Sequence, residues 1–242
     1  MLRTDKLLAT MGFGSRKDVK KILKQGLFSV NGEIVKDGKR HVNTVTDILK
    51  YSGEVIEYRE TIYIMLNKPK GYVSATEDKT EKTVIDILQP EDALFDPFPV
   101  GRLDKDTTGL LLLTNDGKLA HQLLSPKKKV DKRYIVHLDL PINEEDILAL
   151  EQGVTLDDGY TTKPAKVEYK AESNASVAYI TIQEGKYHQV KRMFQTRGKK
   201  VIELKRERMG SLVLDNELEL GEYRELTPDE LEELRSHQGH ES

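Results

Sequence analysis

The chain has 242 residues, 37% hydrophobic and 33% charged, which suffices for a substantial core in one large or two unequal domains and does not suggest disorder. It has no cysteine, which excludes disulfides and thiolate-bound zinc and fits a reducing cytoplasm, and its longest aliphatic run, Leu110 to Leu113, is too short for a membrane span or a signal peptide. The net charge of -3 hides a segregation: residues 1–42 carry ten basic against four acidic side chains, and residues 215–242 carry ten acidic against two basic, so an acidic tail masks a basic front.

From the amino terminus the pattern predicts helix, turn, helix and hairpin. Leu7, Leu8 and Met11 share a helical face that Gly12 and Gly14 interrupt. Ser15 is placed to cap a second helix, with Asp18 at its positive end and Gly26 closing it. At roughly 100° per residue, Val19, Ile22 and Leu23 form an apolar stripe, opposite Lys17, Lys20, Lys21 and Lys24 with Arg16 at the helix start. No acids match these cations, so the face suits RNA phosphates better than mere solvation, giving affinity that weakens with salt. Asn31-Gly32, between LFSV and EIV, is the dipeptide of a type I′ hairpin.

A polar stretch, Glu57 to Glu60, places a domain boundary near residue 60, with one domain over 1–59 and another over 60–242. Strand-like runs follow at Ile62–Leu66, Leu110–Thr114, Tyr134–Leu138, Val177–Ile182 and Val201–Leu204, interleaved with a helix over Asn143–Glu151. The fold class is therefore α+β: a small α/hairpin module, then a larger domain with a mixed, mostly antiparallel sheet flanked by helices. The carboxyl end from Ser236 reads as frayed.

The stretch GRLDKDTTGLLLLTNDG sets a polar loop, bracketed by Gly101 and Gly109, against an apolar strand, with Asn115-Asp116-Gly117 turning the chain back. Asp104 and Asp106 lie in that loop. A carboxylate on a short loop pinned to rigid sheet suits catalysis, although on spacing alone a turn-forming role is the commoner one. Paired carboxylates of a glycoside hydrolase would have to straddle a sugar, which two residues of one tight loop rarely do.

GRLDKDTTGLLLLTND resembles the signature of the ribosomal small-subunit pseudouridine synthase A family and its large-subunit relatives. LNKPKGYVSAT, KRYIV, EGKYHQVKRMF and RERMGSLVLDNELELGEYREL follow that family's order, and residues 2–50 resemble the S4 RNA-binding domain. The resemblance implies isomerisation of a uridine in ribosomal RNA, with neither cofactor nor metal. It puts the nucleophilic aspartate at Asp104, acting by attack on sugar or base or by removing a ribose proton. It puts the base-stacking tyrosine at Tyr134 and the cation that keeps Asp104 ionised at the Lys191-Arg192 pair, where bidentate geometry favours Arg192. Substrate contacts are expected from Arg102, which would fill the space left by the flipped base, and from Lys132, His188, Gln189 and Lys191. Lys68, Pro69 and Gly71 would support the loop. Tyr187-His188-Gln189 is more similar to the small-subunit enzymes, implying 16S ribosomal RNA in a small-subunit assembly particle as substrate, 23S as the runner-up, and a monomeric enzyme. A non-catalytic assembly factor built on the S4-like module is the alternative of another class.

Overall fold

The computed structural model describes residues 1–169 and 176–236, and the expectation of a frayed carboxyl end falls on 237–242, outside the described residues. The chain forms two compact units, one of Met1–Ile62 with Leu88–Pro97, the other of Tyr63–Ile87 with the chain from Phe98 onward.

In the first unit, β1 (Leu2–Arg3) leads into α1 (Thr4–Thr10) and α2 (Arg16–Lys24). The Ser15 hydroxyl accepts from the Asp18 amide at 3.4 Å while the Asp18 carboxylate accepts from the Ser15 amide at 2.9 Å, closing a capping box that satisfies two otherwise orphaned donors. Strands β2 (Phe28–Val30), β3 (Glu33–Ile34), β4 (His41–Val42), β5 (Leu49–Tyr51) and β6 (Glu54–Ile56) follow, and α3 (Pro90–Ala93) completes the unit. Asn31 and Gly32 stand at φ 52° and 84°, as a type I′ hairpin requires, and join β2 to β3 in the antiparallel order β3-β2-β5-β6. Leu7, Leu8, Val19, Leu23, Phe28 and Leu49 share one core, which buries the apolar stripe of α2 and leaves its cations in water.

The second unit contains β7 (Tyr63–Lys68), β8 (Phe98–Pro99), β9 (Thr108–Thr114), α4 (Gly117–Leu124), β10 (Lys132–Leu138), α5 (Glu144–Gln152), β11 (Lys166–Tyr169), β12 (Val177–Ile182), α6 (Gln189–Gln195), β13 (Val201–Met209), β14 (Leu212–Val213), β15 (Tyr223–Glu225) and α7 (Pro228–Ser236). Its sheet runs β11-β12-β10-β13-β9-β7-β15, with β14 on β13 and β8 on β9. The pairings are antiparallel apart from β9 with β13, which is parallel. Every residue of β9 is buried, so its aliphatic run need not alternate; Leu110 and Leu112 pack with Leu119 and Leu123 of α4 and Leu234 of α7. The expected turn at Asn115-Asp116-Gly117 is instead a helix start. Asp116 caps α4 by accepting from the Leu119 amide at 3.0 Å, and the Tyr63 hydroxyl holds its other oxygen at 2.8 Å.

Gly109 is where β9 and β13 meet. It pairs with Arg206 at φ 99°, and a Cβ there would lie 2.2 Å from the Arg206 carbonyl oxygen. Any side chain would force the strands apart beside the loop that carries Asp104. Gly109→Ala is expected to destabilise the protein by about 3 kcal/mol or more, read as a lower urea midpoint at unchanged m-value; an unshifted midpoint would contradict this.

Candidate functional site

The loop leading into β9 forms one wall of a cavity of about 830 Å³, large enough for a nucleotide. Its backbone is held from behind. The Lys68 ammonium, at the end of β7 and wholly buried, donates to the carbonyls of Asp104 and Thr107 at 3.0 Å each, of Pro69 at 3.1 Å and of Lys105 at 3.4 Å. Ser74 grips the next residue from the same side: its hydroxyl donates to the Leu103 carbonyl at 2.9 Å and accepts from the Leu103 amide at 3.0 Å. Burial, partly offset by Asp104 and Asp106, brings the Lys68 pKa down to about 8.

At the front of the loop the Lys191 ammonium lies 3.2 Å from Asp104 Oδ2 and 2.6 Å from Asp106 Oδ1. Burial would lower the Lys191 pKa, yet the bonds to Asp106 and Asp104 raise it; Asp106, pushed up by burial, is held below the usual carboxylate range by the same ammonium. One cation thus serves both aspartates, which converge on it rather than oppose each other across a substrate. His188, at φ 48° just before α6, stacks on Tyr187 with ring centroids 3.8 Å apart and brings its Nε2 to 3.6 Å from Asp104 Oδ1.

The structure corrects one sequence expectation and refines another. Arg192 does not face Asp104: it pairs with Asp157 and Asp158 and donates to the Tyr187 carbonyl at 3.2 Å. Neighbouring residues on a helix point about 100° apart, so α6 can offer only one of the pair to the loop, and it offers Lys191. Gln189 does line the cavity, but it is 4% exposed and already bonded within the protein, its oxygen accepting from the Lys186 amide at 2.8 Å and its nitrogen donating to Glu184 at 2.6 Å. It positions the start of α6.

The opposite wall is sheet. Tyr134, buried in β10, lines the cavity together with Lys132 two residues earlier, whose ammonium donates to the Val130 carbonyl at 3.4 Å. Arg102 stands exposed on the loop without a partner among the described residues. Two residues at the cavity escaped the sequence reading. Ser74 carried no signal beyond its place in the Lys68 segment. Arg206 did carry one, as an arginine that strand alternation aims at the core of β13; it is 2% exposed, with Nε donating to the Leu110 carbonyl at 2.8 Å. In the other unit Arg16, Lys17, Lys20, Lys21 and Lys24 are exposed and make no ion pair among the described residues. No group of histidines and carboxylates that could hold a metal ion, and no helix long and apolar enough to cross a membrane, occurs among the described residues.

The family profile described as RNA pseudouridylate synthase matches residues 62–196, and that of the S4 domain matches residues 2–49. The chain is 55% identical to an uncharacterized RNA pseudouridine synthase of Bacillus subtilis (98% of this chain, 100% of the relative). It is 41% identical to ribosomal small subunit pseudouridine synthase A of Vibrio vulnificus (96% and 99%) and 39% identical to ribosomal large subunit pseudouridine synthase B of Bacillus subtilis (98% and 96%). A crystal structure of a pseudouridylate synthase superposes with a TM-score of 0.67 at 39% identity, covering 97% of this chain and 100% of the other.

Two outcomes are expected from this geometry. Lys191→Met leaves Asp104 beside its cavity without a cation and should lower the single-turnover rate by about 10²-fold or more, whereas Arg192→Met, which frees Asp157, Asp158 and the Tyr187 carbonyl but leaves Lys191 on Asp104, should cost less than about tenfold; the reverse order would return the role to Arg192. The second concerns pH. Below about 8 Lys68 is an ammonium with three protons for the loop carbonyls, and above it an amine with two, so the rate should fall as pH rises through about 8. Because its folded pKa lies below the unfolded value of 10.5, unfolding takes up a proton between about 8 and 10.5, so this group makes stability rise over the same range. A falling rate without a falling melting temperature is expected, and a rate that stays level to about pH 9.5 would exclude the clamp as its cause.

Proposed function

We propose that this chain, which belongs to the RNA pseudouridylate synthase family, uses Asp104 as the nucleophile that isomerises a uridine of 16S ribosomal RNA. The protein is an RNA pseudouridine synthase, an isomerase, with an S4 domain over residues 2–49. The observation that carries the assignment of Asp104 is its ion pair with Lys191 at the edge of a nucleotide-sized cavity whose far wall presents Tyr134.

The reaction breaks the C1′–N1 bond of uridine, turns the uracil, joins C5 to C1′ and moves one proton from C5 to N1. Substrate and product have the same atoms and oxidation state, so the chemistry calls for no oxidant or reductant. The reaction starts from a carboxylate, and the Lys191 ammonium, 3.2 Å from Asp104 Oδ2, is the cation placed to offset its charge when RNA excludes water. Tyr134 offers an aromatic face to the uracil. The target base must leave its stack to enter the cavity, and Arg102, exposed and unpaired on the loop, is free to occupy the vacated position. Lys132 and His188 complete the contacts to the nucleotide. The unpaired cations of α2 bind phosphate, supplying affinity without sequence selection. The small-subunit relative supports 16S RNA, met by a monomeric cytoplasmic enzyme in a small-subunit assembly particle. The relative that acts on the large subunit makes 23S RNA the second reading.

Release of tritium from C5-labelled uridine is the measurement. The wild type is expected to release label from 16S transcripts or small-subunit particles and not from 23S transcripts, and Asp104→Asn to lower the rate by at least about 10³-fold. Equal release by the two proteins would remove Asp104 from the reaction, and release from 23S RNA alone would move the substrate to the large subunit.

A further inference from the structure

The cavity is electrically lopsided. On the loop side Lys191 is balanced by Asp104 and Asp106, whereas on the sheet side Arg206 and Lys132 have no carboxylate within ion-pair range among the described residues. Arg206 is among the largest fully buried side chains of the protein, and its Nη2 is shut off from solvent without a hydrogen-bond acceptor. Burying a cation without a counter-ion is costly, and proteins rarely do it unless another molecule or a reaction step supplies the negative charge.

A strand irregularity puts the charge there. Arg133 of β10 lies opposite Arg208 of β13, but the next residue, Tyr134, lies opposite Arg206, so Glu207 is the extra residue of a bulge. In an unbroken register Glu207 would stand opposite Tyr134. The bulge instead lets Glu207 pair with Arg133 at 2.7 Å and aligns Arg206 with Tyr134 and, two residues before it, Lys132. A carboxylate is removed from beneath the expected position of the base and a guanidinium takes its place. Burial and then the neighbouring charge of Arg206 lower the pKa of Lys132 against an opposing pull from Asp131 and Glu184, which lie beyond ion-pair range, so the two cations share one poorly solvated region.

We propose that Arg206 is a fixed positive charge that stabilises the uracil anion detached during isomerisation. This rests on the pseudouridine synthase reading with Asp104 as its carboxylate. Whether that carboxylate attacks C1′ or removes a ribose proton, the C1′–N1 bond breaks with its electron pair left on the uracil, where it spreads over N1, O2 and O4. The negative charge therefore moves from Asp104, beside Lys191, to the ring, beside Arg206. It returns as C5 bonds to C1′ and the C5 proton is lost, N1 being protonated in the product. An RNA phosphate is the other anion at hand, but it suits exposed Arg102, whereas Arg206 is 2% exposed in the sheet wall beside Tyr134. The charge acts through its field in a site closed to water, where such preorganised charges are most effective.

The test compares wild type, Arg206→Gln and Arg206→Lys under single-turnover conditions on 16S and 23S transcripts containing either C5-tritiated uridine or 5-fluorouridine, the latter followed by mass spectrometry as the gain of one water, because the rejoined ring has fluorine and no proton at C5 and takes up water across its N1–C6 bond. Fluorine makes the detached ring a weaker base, so its anion needs less help. Arg206→Gln should slow the uridine reaction by about 10²- to 10³-fold and the fluorouridine reaction by at least tenfold less, with transcript affinity and melting temperature near wild type. Arg206→Lys, which keeps the charge, should stay within about tenfold of wild type. A folded Arg206→Gln protein with wild-type rate, or an equal loss on the two substrates, overturns the proposal. If the glutamine variant does not fold, a folded Arg206→Lys protein slowed more than about 10²-fold overturns it equally. A wild type that releases no tritium from either transcript would instead sink the functional reading itself.

Discussion

The interaction on which the second unit turns is the ion pair between the Lys191 ammonium and Asp104, 3.2 Å apart at the edge of the cavity. Much of the second unit can be understood as holding these two groups in register. Lysine is a flexible point charge and does not organise its partner by itself. The loop is therefore fixed independently by Lys68 and Ser74 through its backbone, and α6 is fixed by Gln189 and by the pairing of Arg192 with Asp157 and Asp158. Each partner of the ion pair is held by groups that do not themselves take part in it.

The same division appears in the sheet. β9 is buried on both faces and anchors the loop at its start, while Gly109 lets β13 approach closely enough for the parallel pairing. One residue pair farther, the bulge at Glu207 sorts charges between the two faces of β10 and β13. Carboxylate and arginine side chains that would be mismatched in an ideal ladder are thereby placed where each has a use. Strand irregularity, buried charge and a glycine at positive φ all occur within a few residues of the cavity, where a departure from regular structure is most readily explained by function.

The S4 unit follows a simpler logic. Its core is made by the apolar faces of α1, α2 and the hairpin sheet, and its cations remain outside, solvated and unpaired. A surface of this kind suits phosphate contacts, which carry no base selection. The cavity of the second unit instead offers shape, an aromatic face and fixed charges.

Local rules were sufficient for much of this. The Ser15 cap, the Asn31-Gly32 hairpin, the stripe of α2, the strands and the helix capped by Asn143 each depend on residues close in sequence, and each was legible without coordinates. The motif around Asp104 likewise identified the family. What lay beyond the sequence depended on contacts between distant segments: that Lys191 and not Arg192 meets Asp104, that Gln189 is held by Glu184, that Asp116 starts a helix, and that Arg206 lies buried opposite Tyr134. A sequence names the groups available to a site and the local shapes of their segments. The rotation of α6 against the loop and the one-residue bulge in β13 decide which charge faces which, because ion pairs depend on ångströms between side chains that, like Lys191 and Asp104, lie 87 positions apart in the chain.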